Sequence, residues 1–167
     1  MLGPIFATDA LTNNQHVSPI TRLTFVSKHG SSPATIAAMD ELGVVSSWSV
    51  IELSPHLIDR AGAVDLNLNI GGKYKLLENF QENLMFLPEV FSNPDGFSDI
   101  AQSMDLEFDP IDSNVFYFST SASLYRCNRR ISEVPTKLST EDLGAPTSIS
   151  MSDDKYLLVG FSCGSVA

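Results

Sequence analysis

The sequence predicts an all-β fold, and three observations narrow it to a partial β-propeller. A strand motif with alternating apolar residues opens at Leu23-Thr24-Phe25, again at Leu106-Glu107-Phe108, and again at Ile149-Ser150-Met151. Self-similarity at a spacing of tens of residues marks a repeat architecture. The second and third openings stand 43 residues apart, within the roughly 40–45 residues of a WD40-type propeller blade. Helical periodicity is scarce, whereas period-two alternation recurs along the chain. A closed propeller needs at least four blades of four strands. The 167 residues hold about two blades and part of a third.

Residues 1–19 carry Gly3, Pro4, Asn13, Asn14 and Pro19, a mix of breakers that reads as a connector or the end of a preceding blade. Residues 20–167 are expected to form the incomplete propeller: a blade over 20–80 with enlarged loops, a loop over 81–103, a blade over 104–138 and a partial blade over 147–167. The first strand begins at Ile20, with Leu23 and Phe25 expected on its buried face. Residues 35–39 are small and apolar, as suits a strand packed between neighbouring sheets. Asp40-Glu41-Leu42-Gly43 supplies turn chemistry: Asp bonds its own backbone, and Gly43 can take the positive φ that closes a hairpin. Residues 44–51 form the third strand and carry the chain's only Trp, Trp48. A WD repeat places its aromatic there, although Ser49 stands where Asp is usual.

Residues 54–72 break the period with Pro55, Gly62, Gly71 and Gly72, and Val64, Leu66, Leu68 and Ile70 alternate with polar residues. Residues 73–77 look like the fourth strand. A second irregular stretch, 78–103, holds several large apolar groups, among them Phe86, Phe91 and Phe97, which are candidates for a partner-binding loop. The second blade opens at Met104 and turns at Asp109-Pro110. Its further strands fall at 115–120, 123–127 and near 134–138. The third copy runs from Thr147 through the turn Asp153-Asp154-Lys155 to Phe161. There Ser162-Cys163-Gly164 aligns with the 40–43 turn. Asp40, Gly43, Trp48 and Gly164 thus form the structural signature of the repeat.

Composition excludes several classes. A formal net charge of −10 argues against nucleic acid and against anionic membranes, since both need clustered cations. The one basic cluster, Arg126, Arg129 and Arg130, reads as a solvated strand end. Cys127 and Cys163 lack metal-type spacing and read as buried small apolar residues, a usage that suits a reducing compartment. No apolar run is long enough to span a bilayer. His16, His29 and His56 are scattered among loop residues. Asp105, Glu107, Asp109 and Asp112 read as a solvated strand edge, since the spacing of a calcium loop is missing. No metal, cofactor or small-molecule substrate is expected.

One segment has enzymatic form. Gly160-Phe161-Ser162-Cys163-Gly164 matches the G-x-S-x-G nucleophile elbow, with Ser162 as nucleophile. That chemistry needs an acid and a His after the serine and a strand–helix alternation before it; the pattern here favours a glycine-bounded hairpin, and a serine hydrolase stays a remote alternative.

Residues 40–53, Asp-Glu-Leu-Gly-Val-Val-Ser-Ser-Trp-Ser-Val-Ile-Glu-Leu, resemble a blade of dynein intermediate chains, most closely those of cytoplasmic dynein-2. Gly71-Gly72-Lys73-Tyr74-Lys75-Leu76 is similar to the strand that follows that blade, and Val159 to Val166 to a hairpin of its next blades. The resemblance covers about residues 20–167 and is most specific over 40–53. It implies a non-catalytic scaffold whose propeller binds the dynein heavy chain and other dynein-2 subunits during retrograde intraflagellar transport, in the cytoplasm, on the cytoskeleton and in the cilium. Light-chain binding, which belongs to a disordered N-terminal region of these proteins, is not implied. An axonemal or dynein-1 intermediate chain is the alternative within the same class.

Overall fold

The computed structural model describes residues 16–26, 33–56, 73–84, 102–140 and 143–167. Phe86, Phe91, Phe97, His29 and the alternating run 64–70 lie outside the described residues. Within them the chain is all-β. Ten strands follow one another: β1 (Ile20–Phe25), β2 (Thr35–Asp40), β3 (Val44–Glu52), β4 (Tyr74–Asn83), β5 (Ser103–Phe108), β6 (Val115–Thr120), β7 (Leu124–Asn128), β8 (Ser132–Leu138), β9 (Pro146–Met151) and β10 (Leu157–Phe161).

Every pairing is antiparallel between strands adjacent in sequence, giving two four-stranded meanders, β1-β2-β3-β4 and β5-β6-β7-β8, and the pair β9-β10. The hairpin turns decide this. Gly43 adopts φ 74° and its N–H donates to the Asp40 carbonyl at 2.9 Å; Gly164 adopts φ 86° and its N–H donates to the Phe161 carbonyl at the same distance. A side chain at either position would be strained in the left-handed region. The sequence alignment of these two turns therefore holds in three dimensions. Beyond the second turn Val166 forms an isolated bridge with Gly160.

The sheets stack face to face in blade fashion. Ala37, Met39 and Val45 of the first sheet pack on Leu106, Phe108 and Phe116 of the second. Phe118 and Tyr125 stack with centroids 5.0 Å apart, and Phe108 and Phe116 lie 5.2 Å apart, within the preferred range for aromatic pairs. The opposite face of the second sheet packs through Leu124 and Tyr117 on Ile149 and Val159 of the third. Period-two alternation makes this possible, since one strand supplies both faces. Full burial of each large side chain contributes roughly 1.5–3 kcal/mol before entropy is counted.

Two expectations need correction. Leu23 and Phe25 are not buried: they are 65% and 59% exposed. Their face of β1 points away from the second sheet, which packs instead on the face of Thr24 and Val26. The fourth strand does not stop near Leu77 but runs to Asn83, so the blade extends past residue 80; residues 76–83 alternate half-buried and exposed, as an outermost strand should. Residues 16–19 dock on the β2–β3 turn: the Pro19 carbonyl accepts the Glu41 N–H at 3.0 Å, and the Ser18 hydroxyl accepts that of Leu42 at 3.3 Å.

Candidate interaction surface

The turn between β2 and β3 carries the repeat signature. Asp40 is fully buried, and one carboxylate oxygen accepts the Val44 N–H at 2.9 Å. The other lies 3.0 Å from Nδ1 of His16, whose ring meets Trp48 edge-on with centroids 6.0 Å apart. A buried carboxylate needs such partners, because desolvation without them is costly. His16 thus joins Asp40 and Trp48 into one network and fixes the entry of β1. His16 is therefore not a scattered loop residue. Its one signal was position: a histidine just ahead of the first strand, where a WD repeat carries a Gly-His pair; Gln15 replaces the glycine here. His56 is exposed.

A second cluster joins three sheets. Asp105 and Glu107 are 5% and 4% exposed, not the solvated edge the sequence suggested. Arg22 on β1 places Nε 3.0 Å from Asp105 and a guanidinium nitrogen 3.8 Å from Glu107. The Nε–H is not aimed at the carboxylate, so the contact is an ion pair and not a directed hydrogen bond. Thr24 donates to Glu107 at 3.3 Å, and the Ile149 N–H donates to Asp105 at 2.6 Å. One carboxylate therefore ties β1 and β9 to β5. The two halves of the acidic run differ. Asp109 and Asp112 cap the following turn, where the Asn114 side chain and backbone hold the Asp112 carboxyl below its ordinary range.

Between β3–β4 and the loops of the second sheet lies a cleft of about 450 Å³ lined by Ser47, Ser49, Asn79, Phe80, Ile111 and Arg129. Arg129 is not a solvated strand end. Its guanidinium sits 3.5 Å above the Phe80 ring and its Nε donates to Glu82 at 2.7 Å, so it seals the inner end of the cleft. Arg130 reaches Asp112 at 3.5 Å. Ile111, 69% exposed, forms the outer lip.

The chain matches no family model and no curated protein.

Ser162 lies in the turn after β10, which leads into the Gly160–Val166 bridge and not into a helix. Its hydroxyl accepts the Ala145 N–H at 3.2 Å and its N–H donates to the Ala145 carbonyl at 2.8 Å. This is hairpin geometry; a nucleophile elbow is a strand-to-helix turn. Neighbouring Cys163 is exposed, contrary to expectation. Its thiol donates to the Leu143 carbonyl at 3.0 Å, and its bond with Ser165 holds it below the ordinary thiol range. Cys127 is buried as expected, and burial pushes its thiol up to about 11. Among the described residues no cluster of three or more His, Cys, Asp or Glu could hold a metal ion.

Proposed function

We propose that the chain is a non-catalytic scaffold subunit of a dynein motor complex, an intermediate chain of the dynein-2 type whose propeller binds the heavy chain in retrograde intraflagellar transport and cilium assembly. One observation carries the reading. Residues 40–53, on which the resemblance rests, fold as the turn and third strand of a blade, with Asp40 and Trp48 joined through His16. Stacked blades of this kind are rigid platforms whose faces and loops hold other proteins.

The test is affinity capture of the tagged chain from ciliated cells, with proteins identified by mass spectrometry. The dynein-2 heavy chain and its other subunits are expected in the eluate. A chain that melts cooperatively yet recovers no heavy chain would overturn the assignment. Recovery of a dynein-1 or axonemal heavy chain instead would keep the scaffold and change the motor.

A further inference from the structure

The chain holds three Ser-Pro pairs, Ser18-Pro19, Ser32-Pro33 and Ser54-Pro55, and no Thr-Pro pair. Proline has no backbone N–H and a fixed φ. A proline-directed protein kinase can therefore read the residue after its target serine with an apolar pocket, where any other residue would leave a buried donor unpaired. The three serines differ in what they touch. Ser54 is exposed just beyond β3, and Ser32 lies outside the described residues. Ser18 rests on the β2–β3 turn, its hydroxyl accepting the Leu42 N–H at 3.3 Å.

Recognition and consequence meet at Ser18. Val17 before it is 85% exposed, Pro19 after it is exposed, and residues 16–19 belong to no strand. Lifting this segment toward a kinase costs isolated contacts and not a ladder of strand hydrogen bonds. The surface it leaves is acidic: residues 40–43 carry Asp40 and Glu41 and no Lys or Arg. A phosphate on Ser18 would bring about −1.5 to −2 charges against that turn, where like charges repel it. His16 stands two residues before Ser18, so a segment that leaves the turn draws His16 away from Asp40 and from the edge of Trp48.

We propose that Ser18 is a phosphorylation site for a proline-directed kinase, and that the phosphate releases residues 16–19 from the β2–β3 turn, uncoupling His16 from Asp40 and Trp48. The co-substrate is the magnesium complex of ATP. The Ser18 Oγ attacks the γ-phosphorus, the bond from that phosphorus to the bridging β,γ-oxygen breaks and ADP leaves, while the hydroxyl proton passes to a carboxylate base of the kinase. Release leaves one oxygen of the buried Asp40 carboxylate without its partner, which destabilises the first sheet.

Trp48 is the chain's only Trp, so its fluorescence reports the departure of His16. The full chain carrying Ser32→Ala and Ser54→Ala keeps Ser18 as its only Ser or Thr before a proline. Incubated with magnesium–ATP and a mitogen-activated protein kinase, it is expected to take a phosphate on Ser18, mapped by mass spectrometry. Trp48 emission then shifts to the red and the melting temperature falls by at least about 2 °C, the shift of a modest loss of stability in a chain of this size. Adding His16→Ala abolishes the emission change, because the contact is already gone. The proposal is overturned if Ser18 stays unmodified, if it is modified with emission and melting unchanged or melting raised, or if the His16→Ala chain shows the same red shift. Should the double variant fail to fold, the wild-type chain and Ser18→Ala, with every phosphate mapped, repeat the comparison.

Discussion

Leu23 and Phe25 in the first sheet, and Leu106 and Phe108 in the second, are the same residue types at the same place in the repeat. The second pair is buried in the core and the first faces solvent. The local pattern is identical; what differs is whether a further sheet lies over it. Alternation along a strand says which residues share a face, and stacking decides which face is core. The largest expected effect follows directly. Phe108→Ala should cost about 3–5 kcal/mol in urea unfolding, while Phe25→Ala in dilute solution stays within about 0.5 kcal/mol. A Phe25→Ala loss close to that of Phe108→Ala would mean that the first sheet is covered after all, and the comparison would break.

The same two strands also differ in where they place charge. On β1, Arg22 keeps 41% of its side chain exposed, whereas Asp105 on β5 keeps 7%. Asp105→Ala should therefore cost about 2–3 kcal/mol, since the Ile149 N–H loses its acceptor and the Arg22 guanidinium its counter-charge. Arg22→Met leaves the Ile149 bond intact and is expected to cost less. Equal losses for the two variants, measured by the same urea titration, would show that the ion pair outweighs the backbone bond.

This also marks how far the sequence could be read. The turns at Gly43 and Gly164 and the succession of strands followed from alternation and glycine placement, which are local. Burial of Asp105 and Glu107 did not. It depends on Arg22, 83 residues earlier than Asp105 by numbering, and on a backbone N–H in the third sheet. His16 escaped for the same reason, since its partner Asp40 lies 24 residues away. Phe80 and Arg129 meet across two sheets. In each case the missing information was tertiary: a polar group's burial is set by partners that only stacking brings near.

The hairpin turns allow a finer comparison. Asp40 closes the β2–β3 turn with a carboxylate, while Thr120 closes the β6–β7 turn through its hydroxyl, which accepts the Ser123 N–H at 3.1 Å and the Ala122 N–H at 3.3 Å. His16→Ala should cost about 1–2 kcal/mol, because it leaves one oxygen of a buried carboxylate unserved. Thr120→Val should cost about 1 kcal/mol, the net worth of an ordinary hydrogen bond. A double-mutant cycle on His16 and Asp40 should show coupling of at least about 0.5 kcal/mol. Additive losses would mean that Asp40 acts through Val44 alone.

The smallest effect separates the two cysteines, one inside the first core and one on the last turn. Burial raises the Cys127 thiol from 9.0 to about 11, while Ser165 lowers that of exposed Cys163. In the folded state Cys127 therefore keeps its proton to higher pH than in the unfolded chain. The stability this represents is fully present below pH 9 and is lost as pH rises toward 11, because the unfolded state then binds fewer protons. Thermal melts across that window should show a decline that Cys127→Ala flattens and Cys163→Ala does not. Thiol labelling at pH 8 should modify Cys163 at least about ten times faster than Cys127, as thiolate fraction and access both favour it. Equal labelling rates in the folded protein would mean that the first and second sheets separate readily, and would place the Cys127 face closer to the open β1 face than its burial suggests.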